Sequence, residues 1–128
     1  MKILPFVALG LTLLNDAASA SPMTPISPTQ ALSNEGQCVT VEGEASIMPD
    51  SLRSGTDVLL RDKHGVLVGY IPAEDMAQFP KVKSFGGKLV DITGVIQFHL
   101  SQPEIKMMST HQLLMAPTNG KPYQDLQC

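Results

Sequence analysis

Apolar and polar residues alternate without a break from Cys38 to Ile47. Val39, Val41, Gly43, Ala45 and Ile47 fall on one side, Thr40, Glu42, Glu44 and Ser46 on the other. Strict period two with one apolar and one polar face predicts a half-buried β-strand. Met48 to Gly55, MPDSLRSG, is rich in turn formers and predicts a loop. Thr56 to Asp62 (TDVLLRD) and Val66 to Ile71 (VLVGYI) predict a second and a third strand, and the short Lys63-His64-Gly65 between them makes the pair a hairpin. Pro72 has no N–H to give a ladder, so the sheet stops there. Pro72, Glu74 and Asp75 stand where a helix N-terminus favours them, and Ala73, Met76, Ala77 and Phe79 supply a short apolar face before Pro80. One helix of about two turns is predicted over this stretch. Leu89 to His99 (LVDITGVIQFH) predicts a fourth strand, with Gly94 marking a bulge or bend in its middle. After the polar loop Ser101-Gln102-Pro103, Glu104 to Met115 (EIKMMSTHQLLM) predicts a fifth strand, irregular near Ser109-Thr110. Thr118 to Pro122 reads as a turn, and a tail runs on to Cys128.

Strand, strand, strand, short helix, strand, strand is the order of an OB-fold barrel. The expected fold class is therefore all-β: a five-stranded OB-fold barrel with one short helix between strands 3 and 4. The central Gly94 suits it, because a small barrel must coil its strands sharply to close. A sheet of the SH3 kind or an open sandwich would also use short strands, but neither has a natural place for a helix between the third and fourth.

The ends of the chain place the protein. Met1-Lys2 gives a short positive start, Ile3 to Leu14 is apolar apart from a few breaks, and Ala18-Ser19-Ala20 is the small-x-small pattern a signal peptidase accepts. The apolar run is too short to cross a bilayer, which takes ~20 apolar residues. Residues 1–20 are expected to be a signal peptide cleaved after Ala20, giving a periplasmic or secreted product with no membrane span. Residues 21–37 carry three Pro, three Ser and two Thr without a sustained period and predict a flexible leader. The OB-fold domain is expected over 38–116, with a C-terminal tail over 117–128. Removing residues 1–20 takes away one base, Lys2, and one acid, Asp16, so the net charge stays at −3. A protein living on phosphate contacts usually carries a basic surplus. The two cysteines, Cys38 and Cys128, have no C-x-x-C spacing, and in an oxidising compartment an isolated pair is most simply a disulfide, here tying the tail to the start of the first strand.

A family resemblance rests on the second half of the chain. Gly87-Lys88-Leu89-Val90-Asp91-Ile92-Thr93-Gly94-Val95-Ile96, then the loop, then Pro103-Glu104-Ile105 and Ser109 with Gln112-Leu113, resembles the last two strands of the OB-fold nucleic-acid-binding domain family. The family pattern runs G-K-x-V-x-V-x-G-x-V, an aromatic, a short polar loop, P-x-I and S-x-x-Q-I/L. Asp57 to Asp62 with Gly65 looks like the family's second and third strands. The resemblance covers Cys38 to Met115 with its flanks. Where the pattern often has an aromatic and a Gly, this chain reads Phe98-His99-Leu100-Ser101-Gln102, and its basic residues are sparse. In size and expected location it is also similar to a small exported bacterial OB-fold protein that binds no known nucleic acid. The resemblance implies an OB-fold whose first-choice ligand is single-stranded nucleic acid or an oligonucleotide.

In an OB-fold the ligand face lies on strands two and three, between the loop joining strands one and two and the loop joining four and five. That picks out Arg53 in the first loop, Arg61 and Tyr70 on the hairpin, Phe98, His99 and Gln102 around the second loop, and Lys106 beyond it. The cations suit phosphate or another anion, and Tyr70 and Phe98 suit stacking on bases or sugars. A solvated basic face over core aromatics would use the same residues, with Arg61 paired to Asp57 or Asp62. His99, His111, Met107 and Met108 are soft donors of a kind that suits copper, but Met107 and Met108 point to opposite faces of a strand, so no metal site is expected. No G-x-S-x-G, H-E-x-x-H, Cys–His pairing or phosphate-cradling Gly loop is present, so neither catalysis nor a cofactor is expected. The expectation is an exported OB-fold binding module for single-stranded nucleic acid. The alternative is an interaction module for an envelope protein, peptide or glycan using the same loops.

Overall fold

A computed structural model describes residues 24–49, 51–118 and 128. The signal peptide expected over 1–20, Asp50 and most of the turn and tail beyond Thr118 lie outside these residues. The described chain is mostly β. Its strands are β1 (Cys38–Met48), β2 (Gly55–Arg61), β3 (Val66–Pro72), β4 (Leu89–Val95), β5 (Gln97–His99), β6 (Gln102–Lys106) and β7 (Leu113–Met115). They form one mixed sheet in the order β5-β6-β3-β2-β1-β4-β7, in which only β3 and β6 run parallel. No described helix is long and apolar enough to cross a membrane.

β1 uses its alternation as expected except at Thr40, which is buried and shares a hydrogen bond with the Thr93 hydroxyl (2.8 Å). Val41, Gly43 and Ala45 are buried and Val39 and Ile47 half-buried. The strand serves two partners in turn, β4 along Cys38–Glu44 and β2 along Glu44–Met48. Val41 joins Val58, Leu60, Leu67, Ile71, Val90, Ile92, Ile105 and Met107 in a core that excludes water from almost every atom. β2 and β3 form the expected hairpin. Its turn is built on Asp62, whose carboxylate accepts the backbone N–H groups of His64 (2.8 Å) and Gly65 (2.7 Å).

Four elements differ from the sequence reading. The expected single helix is two short 3-10 segments, Ala73–Gln78 and Val82–Phe85. Pro80 disfavours helical backbone at Phe79 just before it, and the chain makes tighter 3-10 turns on either side of it while burying Phe79 and Val82. The expected fourth strand breaks at Ile96, which is fully buried and exchanges backbone hydrogen bonds with Gly36 and Gln37 instead. Gly94, expected at a bend, lies within β4, where a Cβ would overlap the side chain of Ile105. Its role is close approach.

The expected fifth strand is likewise two strands with a looped-out segment between them. Gln97 opposes Glu104 across β5–β6, and unbroken register would set Ile92 opposite Ser109, yet Ile92 opposes Leu113. The four extra residues are accommodated by Gln112. Its amide donates to the carbonyls of Thr93 (3.0 Å) and Lys106 (3.1 Å), and its oxygen accepts the N–H groups of Met108 (2.8 Å) and Ser109 (3.1 Å). Finally, the stretch expected as a flexible leader contributes structure from Ile26 onward. Ile26 bridges Val41, Thr29–Ser33 forms a 3-10 turn, and Ala31 is fully buried. Thr29 holds the turn in place by donating its hydroxyl to the carboxylate of Asp62 (2.7 Å). Several hydrogen-bond donors together hold that carboxyl well below the usual range.

Cys38 and Cys128 form a disulfide with Cα atoms 5.9 Å apart, at a sequence separation of 90.

A candidate groove between the β1–β2 loop and the β5–β6 hairpin

Strand register decides which side chains share a face. Asp57 opposes Tyr70 and Leu59 opposes Val68, and across the parallel pair Val68 stands beside Glu104 and Tyr70 beside Lys106. Side chains of one parity therefore form the core, and those of the other form an outer face carrying Asp57, Leu59, Arg61, Val68, Tyr70, Glu104 and Lys106. The β1–β2 loop crosses one end of this face and the β5–β6 hairpin stands opposite. Between them is a groove of about 290 Å³ lined by Leu52, Arg53, Asp57, Val68, His99, Leu100 and Glu104 among others.

Arg53 organises the groove. Its guanidinium lies 3.9 Å from the centroid of the Tyr70 ring, and the Tyr70 hydroxyl donates to the Arg53 carbonyl (2.8 Å). Both of its terminal nitrogens face Glu104, with Nη1 to Oε1 at 3.4 Å and Nη2 bonded to Oε2. The Glu104 side chain is only 7% exposed, so Arg53 is the counter-charge that lets a carboxylate sit there. That hydrogen bond is the main reason the guanidinium is held more firmly protonated than usual. Asp57 stands beside the pair. Burial pushes its carboxyl above the ordinary range, and the Ser51 hydroxyl and Arg53 pull it back only in part. One of its oxygens, Oδ1, is buried and accepts no hydrogen bond from the described residues.

The hairpin tip is Leu100-Ser101, a two-residue loop between the paired His99 and Gln102. Both residues have positive φ, 52° and 68°. That backbone is characteristic of a type I′ turn and favours Asn-Gly. Leu100 is nevertheless 88% exposed, and Leu52 on the facing loop is fully exposed.

The sequence candidates divide. Arg53, His99 and Gln102 line the groove, and Tyr70 supports Arg53 from below. Gln102 is held against β3 and its own strand, its amide donating to the carbonyls of Val66 (2.6 Å) and Pro103 (3.1 Å). Phe98 opposes the buried Pro103, which shares a parity with Ile105 of the core, so the ring lies on the other face of the hairpin. Arg61 is four residues along β2 from Asp57, roughly 13 Å at ~3.3 Å per residue. Its register partners are Glu44 and Val66. Lys106 lines a separate groove with Val95, Met108 and Gln112. Among the described residues the one ion pair is Arg53–Glu104, not the pairing of Arg61 with Asp57 or Asp62 weighed from sequence. Met107 is in the core and Met108 outside it, on opposite faces. Sequence reading missed Leu52, Asp57, Leu100 and Glu104. The signal for Glu104 was a charge opening an otherwise apolar run. For Leu52 and Leu100 it was an apolar residue in each of two polar loops.

No family model matches this chain, and no curated protein matches it. A solved structure of a provisionally assigned aspartyl-tRNA synthetase from Leishmania major Friedlin is similar over 88% of this chain, with a TM-score of 0.50 and 13% identity. This chain spans 23% of that protein's length. The likeness is one of fold, and it supports an OB-like fold for the all-β sheet described above.

Proposed function

We propose that this protein is an exported, non-catalytic binding module built as an OB-type barrel, and that its ligand is a protein or peptide segment held in the groove between the β1–β2 loop and the β5–β6 hairpin. The barrel reading counts residues 89–99 as one strand interrupted at Ile96 and residues 102–115 as one strand with a looped-out insert. On that count β5, at one end of the sheet order, continues β4 near the other end, and the sheet returns on itself in five strands.

The observation that carries the ligand reading is the engagement of Arg53 with Glu104. A groove that binds nucleic acid presents unneutralised cations along a backbone track and free aromatic faces for stacking. Here the groove's cation is closed on an acid, the Tyr70 ring is already covered by that cation, and Arg61, Phe98 and Lys106 lie elsewhere. The single-stranded nucleic-acid reading draws its support from the family resemblance of residues 87–113 and from the likeness to an aspartyl-tRNA synthetase.

Fluorescence anisotropy of a labelled oligothymidylate against residues 21–128, at low and physiological salt, separates the two. No saturable binding is expected at either. Binding that weakens steeply with salt and is lost in Arg53→Ala would reverse the choice. Export is tested by N-terminal sequencing of the protein recovered from the periplasm or medium, with Ser21 expected as the first residue and a retained Met1 overturning it.

A further inference from the structure

We propose that the groove takes a basic, leucine-flanked polypeptide segment, with one Lys or Arg side chain reaching Asp57 while its apolar neighbours pack on Leu52 and Leu100. This rests on the binding-module reading above and names its ligand class.

Charge is the first argument. The ionisable groups facing the groove are Arg53, Asp57, Glu104 and His99. Arg53 and Glu104 satisfy one another, which leaves Asp57 as the carboxylate without a cation of its own. Asp57 lines the groove, and an ammonium or guanidinium seated there would supply the counter-charge that no described residue gives it as an ion pair. An anionic segment would meet Asp57 with the local guanidinium already engaged.

Shape is the second. A volume of about 290 Å³ has room for one or two side chains and stands at the lower edge of ligand clefts, ~300–1,000 Å³. The walls are loop and hairpin, each carrying one exposed leucine. Leu100 sits where the backbone favours Asn-Gly, so local conformation gives no reason for an apolar residue there. A ligand with apolar residues on both sides of its cation supplies one. A free amine would leave both leucines in water, which favours a polypeptide over a small cation.

The test is an amide NMR titration of residues 21–128 with three probes: a capped Leu-Lys-Leu-Lys-Leu peptide, its Leu-Glu-Leu-Glu-Leu counterpart and an oligothymidylate. The basic peptide alone is expected to shift the amides of residues 51–57 and 99–104. Asp57→Asn should weaken it on the order of tenfold or more. Leu100→Ser changes an exposed tip and cannot unfold the protein by emptying the core, and it should weaken the same probe several-fold. Undiminished binding of the basic peptide to both variants overturns the proposal. Shifts at the groove with the acidic peptide or the oligonucleotide instead overturn the cationic ligand class and leave the groove as the ligand site. No groove shift with any probe overturns the groove as well.

Discussion

Gln112 accepts two backbone N–H groups and donates to two carbonyls, so one side-chain amide stands in for the ladder where β6 and β7 fall out of register. Each such bond is worth roughly 0.5–1.5 kcal/mol net, and water can reach some of the groups left behind. Gln112→Ala is therefore expected to cost about 2–3 kcal/mol, seen as a lower urea midpoint at unchanged m. Asp91 offers a second test. It opposes Glu42 across β1–β4, is 2% exposed, and its carboxyl is pushed up to about 8, chiefly by burial and then by Glu42. The ordinary value is 3.8. Between these two values the folded protein holds a proton that the unfolded chain has released. Its stabilisation is therefore fully present below the lower value and declines as pH rises towards the upper. Asp91→Asn cannot ionise, so its urea midpoints should decline less across this window and exceed those of the unmodified protein at its alkaline end. Parallel profiles would place the retained proton on another group.

At the scale of elements, the β5–β6 hairpin pairs a demanding backbone with residues that do not suit it. Leu100 and Ser101 both occupy positive φ, where a residue with a Cβ pays roughly 1–2 kcal/mol. Replacing them by Asn-Gly should raise stability by about 1–2 kcal/mol while weakening the basic peptide, because the apolar tip is removed. Thermal melts and the peptide titration on one double variant check both halves. β1 was legible from period two and β2 and β3 from apolar runs bounded by turn residues, and all three stand within a residue or two of where the sequence put them. The breaks at Ile96 and within 107–112 were not legible. They arise because β4 must meet β1 and β7 while β5 meets β6, a competition between partners distant in sequence.

For the whole molecule, the Cys38–Cys128 bond constrains a loop of separation 90, for which chain entropy gives about 4–5 kcal/mol. A Cys38→Ser, Cys128→Ser variant should lose a stability of that order in urea unfolding, and a loss under 1 kcal/mol would mean the unfolded chain is little constrained by the bond. The N-terminal stretch from Ile26 belongs to this scale too. Pro28 and Ala31 are buried and Thr29 is fastened to Asp62, so residues with no period of their own become part of the core's cover.

Local composition was enough to determine β1, β2 and β3, the β2–β3 hairpin, the cysteine pair and the two loops that face the groove. Each depends on near neighbours or on residue type: side chains alternate with period two, Asp and Gly turn a chain, and two cysteines have one intramolecular pairing. Only the tertiary structure decided the chemistry of the site. Arg53 reads as a free cation until Glu104, 51 positions away, closes on it. Phe98 reads as a stacking ring until its pairing with Pro103 turns it to the other face. Asp57 reads as a surface acid until the fold buries its Oδ1 without a donor from the described residues. Charge neutralisation, facing and burial are properties of residues brought together across the sheet, and no window along the chain contains them.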